Sequence, residues 1–433
     1  MLGQTNAKIV TGGSQQQGEY FVKVIDYDGR VIDEQWLNDG DEYTLPSAPD
    51  NTSKGLVFQE WSCSQTITNG KITIDKNDVM IGAIYTTASG QNEFDIEVNA
   101  NTGLEFILNM NGTKDWGDGT IDTNTSHTYS QAGKYTIKTD GTTITSSSSS
   151  GIFGQNNNYQ TYNFTCLNVR LATVQTIPNY AFQYSKSIQT ISLSNSVKTL
   201  NQYCLSYLEC DCLVFPSSIT SLPIYVCLGC CFKRVVLPNT ITSINNDAFS
   251  YNFDLNNVVL PESLTTIGQE AFYYCYDLEK LVLPKNVTTI GGTETYSGGI
   301  VAYSYALKEF KILSTKITRI ASNTFRYCEG LKKVEFSSSI TTLGYNCFEN
   351  CINLPVTFVV PSSITKIEGA VFTSLRQILE YDFSSATAIP ILDNVSAFNA
   401  PNKLMKIKVP SALYSQWITE TNWSALANYI VAV

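Results

Sequence analysis

The 433-residue chain is expected to be mainly β with short helical turns, two small β domains leading into a long solenoid. Three observations predict this. A phrase recurs about every 23 residues between Ile177 and Ile389, clearest as Ile267-Gly-Gln-Glu-Ala-Phe272-Tyr-Tyr-Cys275-Tyr-Asp-Leu278-Glu-Lys-Leu281-Val-Leu283-Pro284. Ahead of it, short apolar runs alternate with Asp-Gly turns, the pattern of small β modules. Composition agrees: hydrophobic residues are 43% and charged residues only 15%.

The elements follow in chain order. Residues 1–18 are a polar leader. The first module spans 19–90, where Phe21-Val-Lys-Val-Ile25 is an apolar strand running into a turn at Asp28-Gly29. Then come Leu37-Asn-Asp-Gly-Asp41, Leu45-Pro46, Phe58-Gln-Glu-Trp61 and Ile81-Gly-Ala-Ile-Tyr85. This succession resembles the Listeria-Bacteroides repeat, which implies a β-grasp-like fold. The second module, 91–145, carries Trp116-Gly-Asp-Gly-Thr120, Ser126-His-Thr-Tyr129 and Gly133-Lys-Tyr-Thr-Ile137. Asp118-Gly119 supplies a tight turn, while Tyr129, Tyr135 and Ile137 fall where an inward-facing strand needs them. These pieces are similar to the signature of PKD-type immunoglobulin-like sandwiches.

A Ser run at 146–151 reads as a flexible linker. The repeat array occupies 152–410, opened by an irregular capping unit with Phe153, Tyr162, Phe164, Cys166, Leu167 and Leu171. Leading residues are Ile177, Leu200, Leu222, Ile244, Ile267, Ile290, Ile320, Leu343, Ile367 and Ile389. A unit this short cannot bury its apolar face alone, so neighbours must stack into one core. The phrase resembles the BspA-like leucine-rich repeat, which implies a right-handed leucine-rich-repeat solenoid with one short strand per unit, such as Leu281-Val-Leu283, and a helical turn at the Ala-Phe segment. Gly291 to Gly299 adds a Gly-rich bulge, and Asn394 to Pro401 loosens the last unit. Residues 411–433, with Leu413, Trp417, Leu426 and Ile430 at helix-like intervals, form a helical cap.

Chemistry is hard to assemble from these residues. A single histidine, His127, lies inside the PKD-like signature near Asp118, which leaves no triad or His-based metal site. Asp115, Asp118 and Asp122 read as a hydrogen-bonded Asp-Gly turn, with calcium the alternative. Of the twelve cysteines, Cys230, Cys275, Cys328 and Cys351 occupy a slot that other units fill with Ser185, Asn252, Ser304 or Leu375, which is a small packing slot. In the same register Cys227 takes the Phe slot and Cys204 the Ala slot. A tetrathiolate zinc site involving Cys210, Cys212 and Cys231 is the competing reading. No enzyme activity, cofactor or metal is expected.

Two surfaces are the candidate ligand sites. Two positions after the Phe slot stand Tyr184, Tyr207, Tyr251, Tyr274, Tyr303 and Tyr327, flanked by Tyr273 and Tyr276. Tyrosine presents a flat apolar face and a polar tip that suit sugars and proteins alike, although such a row also covers a core edge by packing on itself. The second surface is the outward side of the central strands, including Arg234, Val236, Asn257, Val259, Lys280, Val282, Lys311, Lys333 and Glu335.

A net charge of −10 opposes nucleic-acid binding, and no apolar run is long enough to span a membrane. The N-terminus lacks the pattern of a secretory signal. The expected role is a non-enzymatic binding or adhesion protein, extracellular or surface-exposed, recognising a protein or carbohydrate on a host or neighbouring cell. BspA-like proteins are implicated in adhesion, which the resemblance implies here. The alternative is a structural phage virion component whose N-terminal segment docks on other virion proteins.

Overall fold

A computed structural model describes residues 18–99, 105–147, 150–155, 164–291, 298–398 and 405–433. The polar leader up to residue 17, Tyr162, residues 292–297 of the Gly-rich bulge, and the end of the Asn394–Pro401 stretch lie outside the described residues.

The array coils as a solenoid with two rows of parallel strands. Each coil opens on a two-residue strand whose second member is buried: Ile244 pairs with Ile267 and Ile267 with Ile290. Nine of the expected leading residues occupy this row. The last is corrected: Leu392, not Ile389, pairs with Ile367, because the final step is 25 residues and not 22. The second row contains Arg234–Val236, Lys280–Leu283, Glu309–Ile312 and their equivalents, again in parallel register. Between the rows, Phe249 and Phe272 stack at 5.5 Å and 9°, and Phe325, Phe348 and Phe372 continue the buried column.

The Ala-Phe segment is a single i to i+3 turn (Tyr273 N to Glu270 O, 3.1 Å) bracketed by left-handed residues, Glu270 at φ 57° and Tyr274 at φ 56°. A helix cannot propagate through such residues, so each expected helical turn stays one turn long. The C-terminal cap is likewise only partly helical. A four-residue α-helix at Tyr414–Trp417 and a 3-10 turn at Ser424–Tyr429 lead into the strand Ile430–Ala432, which pairs with Lys406–Val409 and closes the sheet. Trp417 and Trp423 are fully buried beneath it. Among the described residues no helix is long and apolar enough to cross a membrane.

The buried thiols do more than fill space. Cys230, Cys275, Cys328 and Cys351 each aim Sγ at the carbonyl of the Phe-slot residue one coil earlier, at 3.1, 3.3, 3.1 and 3.0 Å. Asn252 and Ser304 serve the equivalent carbonyls of Cys227 and Phe272. Where Cys, Asn252 or Ser304 fills the slot it donates to the preceding coil, whereas Ser185 and Leu375 fill it without that bond, so the slot selects size first and a donor second. All twelve cysteines are free thiols, and only Cys231 is not buried. Burial raises the Cys275 and Cys328 thiols above the usual range, which makes them inert. A thiol reagent should therefore titrate one cysteine in the native protein and all twelve after denaturation; several fast-reacting native thiols would contradict this packing. Cys275→Val should cost about 0.5–1.5 kcal/mol by removing one of the two hydrogen bonds to the Phe249 carbonyl, the other coming from Asn252 Nδ2 at 2.8 Å, and Cys275→Ser should cost less.

Both N-terminal modules are built into the solenoid. The sheet of the second runs, in order, Ile121–Asp122, Lys114–Asp115, Gly133–Thr139, Asn92–Val98, Phe164–Leu171, Thr190–Leu193. Asn92–Val98 is antiparallel to Phe164–Leu171, which is parallel to the first solenoid strand. The module thus covers the open edge of the parallel sheet, and one apolar core continues from Phe94 to Ile430. Within the expected linker, of which residues 148 and 149 lie outside the described residues, Ser146 Oγ donates to Asn179 O at 2.6 Å and Ser147 pairs with Ser150.

The first module has strand order Val31–Leu37, Tyr20–Ile25, Val79–Thr87, Leu56–Cys63, with the second and third parallel. One face of Val79–Thr87 packs on its own core of Val22, Val24, Ile72 and Ile74. The other, with Met80 and Ile84, lies on Cys212, Val214, Val236 and Val259 of the solenoid. Polar bonds line this joint. Ser62 Oγ donates to Phe215 O at 2.6 Å, Glu60 accepts from Ser217 N and Oγ, and Asn239 N donates to Cys63 O.

Candidate functional site

The tyrosine row forms two ladders. Tyr184 and Tyr207 stack at 4.4 Å and 12°; Tyr251, Tyr274, Tyr303 and Tyr327 stack at 5.1, 4.5 and 4.8 Å. Each of these six residues has φ between 56° and 61° or at 62°, a left-handed conformation that costs an L-residue about 1–2 kcal/mol. Two effects offset that cost. The left-handed turn aims each amide at the next coil, as in Tyr251 N to Tyr273 O at 2.7 Å and Tyr303 N to Arg326 O at 2.8 Å. Each ring pair adds about 0.5–1.5 kcal/mol beyond burial. Gly229 holds the same slot between the ladders, where a Cβ would fall 2.5 Å from the Tyr207 ring.

Stacking consumes the ring faces and turns edges and hydroxyls outward. Tyr184 (36% exposed) and Tyr251 (41%) remain the most open of the six. Alongside, Phe253, Tyr276 and Tyr305 make a shorter column at 4.7 and 5.0 Å, with Phe253 45% and Tyr305 37% exposed. Arg326 lies 5.9 Å from the Tyr303 ring and 5.3 Å from Tyr327, its guanidinium held by Glu349 at 2.6 Å. The result is an aromatic ridge, tyrosine-edged and with one fixed cation at its end. Tyr273 meets Tyr274 edge-on at 4.4 Å and so belongs to it.

Another column escaped the sequence reading. Two positions before the Phe slot, Tyr180, Tyr203 and Tyr225 stack at 5.3 and 4.6 Å, and the same left-handed slot then holds Asp247 and Glu270. The repeat register carried this signal. Burial first, and the charge of Glu270 second, push Asp247 up to about 7. The folded state therefore binds the extra proton between the unfolded value near 4 and about 7, and the associated stability is lost as pH rises through 7. Asp247→Asn should raise stability at pH 8 by about 1 kcal/mol, discounted for a half-exposed site, and change little at pH 4. Equal melting temperatures of parent and variant at pH 8 would refute a raised Asp247 carboxyl.

The charged candidates lie on the central-strand face and are engaged within the molecule. Lys280 pairs with Asp78 of the first module at 3.0 Å. Lys311 stands 5.7 Å over the Tyr20 ring and 3.5 Å from Glu335, and Lys333 pairs with both Glu309 and Glu335. Val236 and Val259, expected on an open surface, are buried under the module, and Arg234 donates to Gly29 O. The expectation of a wholly exposed strand face is thus corrected: its apolar residues mark a docking site within the chain. No contact joins these lysines to the tyrosine ladders among the described residues.

His127 Nε2 lies 2.7 Å from Asp118 Oδ2 and stacks on Trp116 at 5.1 Å, while Asp115, Asp118 and Asp122 accept bonds from Gly117, Thr120 and Asn124 amides. Burial alone would raise Asp118, but His127 and the Thr120 amide lower it. These groups close a turn. Among the described residues no three His, Cys, Asp or Glu side chains are grouped to hold a metal.

Residues 151–230, 220–298 and 300–417, more than half of the chain, match the model of the BspA type leucine rich repeat region, in six copies. No curated protein matches. Among solved structures, a leucine-rich repeat protein from Bacteroides ovatus is 17% identical and has a TM-score of 0.40, the match covering 61% of this chain and 76% of that one. A leucine rich repeat protein of T. pallidum is 23% identical, with coverage of 42% and 72% and a TM-score of 0.32. A leucine rich cell surface protein from Faecalibacterium prausnitzii is 20% identical, with coverage of 60% and 87% and a TM-score of 0.26.

Proposed function

The chain belongs to the BspA-type leucine-rich repeat family, and on that premise we propose that it is a non-enzymatic binding protein, displayed outside the cell, that recognises a partner on a cell surface through its repeats. The observation that carries this reading is the aromatic ridge. Four large aromatic residues on it keep more than a third of their surface exposed, and three of them cluster: Tyr251 and Phe253 share one coil, and Tyr305, two coils on, is joined to Phe253 through Tyr276. Exposed apolar area concentrated on a rigid scaffold suits recognition, and tyrosine edges with hydroxyl tips favour a protein surface over the flat face of a sugar. Of the ten candidate positions, the six tyrosines serve this ridge, and Lys280, Lys311, Lys333 and Glu335 serve the joint and the strand face.

We read residues 19–90 as a Listeria-Bacteroides-type β-grasp-like module and 91–145 as a PKD-like module. The central parallel pair Tyr20–Ile25 and Val79–Thr87 supports the first reading. The Trp116–His127–Asp118 turn supports the second. Both act as covers of the solenoid and stiffen it.

The test is capture of whole bacterial and epithelial cells by the full chain and by a Tyr251→Ser/Phe253→Ser/Tyr305→Ser variant. Binding should fall at least about tenfold with an unchanged melting temperature, since these side chains are surface-exposed. Undiminished binding by the variant would remove the ridge from the function.

A further inference from the structure

A groove runs along the joint between the first module and the solenoid, walled in its widest part by the module with Glu262 and elsewhere by both parts. It has three connected compartments. The widest, about 820 Å³, lies between the 65–75 segment of the module and Glu262 of the solenoid. It shares Asp75 and Glu262 with a middle compartment of about 240 Å³, floored by Pro284 and Leu313. Asn77 links that to a third, about 190 Å³, walled by Phe21 and Trp36 on one side and Val259 and Val282 on the other. Domain joints are where ligand sites most often form, because two rigid bodies meet there without filling the space.

Three features say what the groove would take. Its charges nearly cancel: Glu42 pairs with Lys71, Asp75 with Lys285 and Asp78 with Lys280, and Glu279 is held by Lys308 outside the groove, leaving one carboxylate, Glu262, and one ammonium, Lys76. That balance gives no pull on an anionic ligand. Second, Gln65 is 4% exposed, lines the wide compartment, and its Nε2 has no partner among the described residues. A buried donor without an acceptor is destabilising, so the groove is short of an oxygen there. Third, Trp36 remains 45% exposed while held edge-to-face by Phe21 at 5.9 Å and 72°. An aromatic ring fixed at one end and hydroxyls and carboxamides along the rest (Thr66, Thr68 and Asn69 in the wide compartment) match a ligand with apolar CH faces and a fringe of hydroxyls.

We propose that this groove is a second binding site, for an unbranched, uncharged glycan, with Trp36 as the stacking platform and Gln65 and Glu262 as hydrogen-bonding partners of sugar hydroxyls. The site is independent of the aromatic ridge. An extended peptide is the less suitable occupant, because the side-chain donors and acceptors are not arranged as a strand ladder and the middle compartment offers few apolar recesses.

Trp36 gives the assay. Of the five tryptophans, Trp116, Trp417 and Trp423 are fully buried and Trp61 is half-buried against the module's own core and lines no part of the groove, so a ligand there should change chiefly the emission of Trp36, and the change should vanish in Trp36→Ala. The full chain is titrated with unbranched hexasaccharides of β-1,4-glucose, β-1,4-N-acetylglucosamine and α-1,4-glucose, with a sulfated hexasaccharide and an unstructured hexapeptide alongside. Saturable change is expected with at least one neutral sugar and not with the sulfated one. Calorimetry should then show affinity reduced by about tenfold or more in Trp36→Ala and by at least about threefold in Glu262→Gln and Gln65→Leu. Gln65→Leu removes the orphan donor, so it should fold at least as well as the parent. Tyr251→Ser/Phe253→Ser/Tyr305→Ser should bind the sugar unchanged. The proposal is overturned if no neutral sugar binds, if the sulfated sugar or the peptide binds better, or if the groove variants bind like the parent.

Discussion

Arg170→Met is expected to lower the stability of the chain by about 3 kcal/mol, the cost of taking the guanidinium from buried Glu93 and half-buried Asp95 and leaving only Lys138, 4.0 Å from Glu93, in its place. Arg170 stands on the strand that joins the second module to the solenoid. Its guanidinium makes two 2.7 Å bonds to Asp95, and its Nε lies 3.1 Å from Glu93. Both acids belong to the module strand Asn92–Val98, so this fork fastens the two parts across one sheet. Burial alone would raise Asp95, but the bonds and charge of Arg170, with Asn168 and Thr136, lower it. The sign follows. A carboxyl depressed in the folded state contributes stability that is present above its unfolded value near 4 and lost as pH falls through the folded value. The gap between parent and Arg170→Met in urea melts should therefore be large at pH 7 and shrink below pH 4. A gap under about 1 kcal/mol at pH 7 would mean that the sheet holds without the fork.

Gly82→Leu is expected to detach the first module. Gly82 lies between Met80 and Ile84 on the face that meets the solenoid, and a Cβ there would fall 2.6 and 2.8 Å from the methyls of Val214 and 3.1 Å from Val236. Overpacking of this kind costs about 1–3 kcal/mol, and separating the two surfaces relieves it more readily than distorting either. The reporter is Cys212, which lies in the joint and whose thiol burial raises to about 12. In the variant it should join Cys231 as a reactive thiol in the native protein. A variant that keeps a single reactive thiol and the parental melting temperature would show that the joint yields without opening.

Much of this was legible in the residues. Repetition placed the strand rows, because a coil of about 23 residues exposes the same side chains to the same neighbours every turn. It also aligned the cysteines and tyrosines. The unit around Ile389 failed because one longer coil shifts the register, and periodicity is weakest where the array ends. The donor role of the cysteines was half visible: Ser and Asn in the same slot hinted at a hydrogen bond, but the accepting carbonyl belongs to another coil. The third tyrosine column, Tyr180, Tyr203 and Tyr225, was equally in register and was missed because Asp247 and Glu270 interrupt its composition.

The docking of the first module left a trace that alternation alone misassigned. Val236, Val259 and Val282 fall on the outward side of the central strands, and an apolar outward residue in three neighbouring coils is itself a sign that something covers it. Sequence by itself determined what is local or repeated: the solenoid, its core columns, the turns of the modules, and the absence of a concentrated charge. Tertiary structure alone decided which surfaces are free, that a sheet runs unbroken from the second module into the coils, and that stacking hides the tyrosine faces. The physical reason is that repetition constrains only neighbours one coil apart, whereas Met80 on Val214, Arg170 on Asp95 and the groove beside Trp36 depend on chain segments whose separation no periodicity relates.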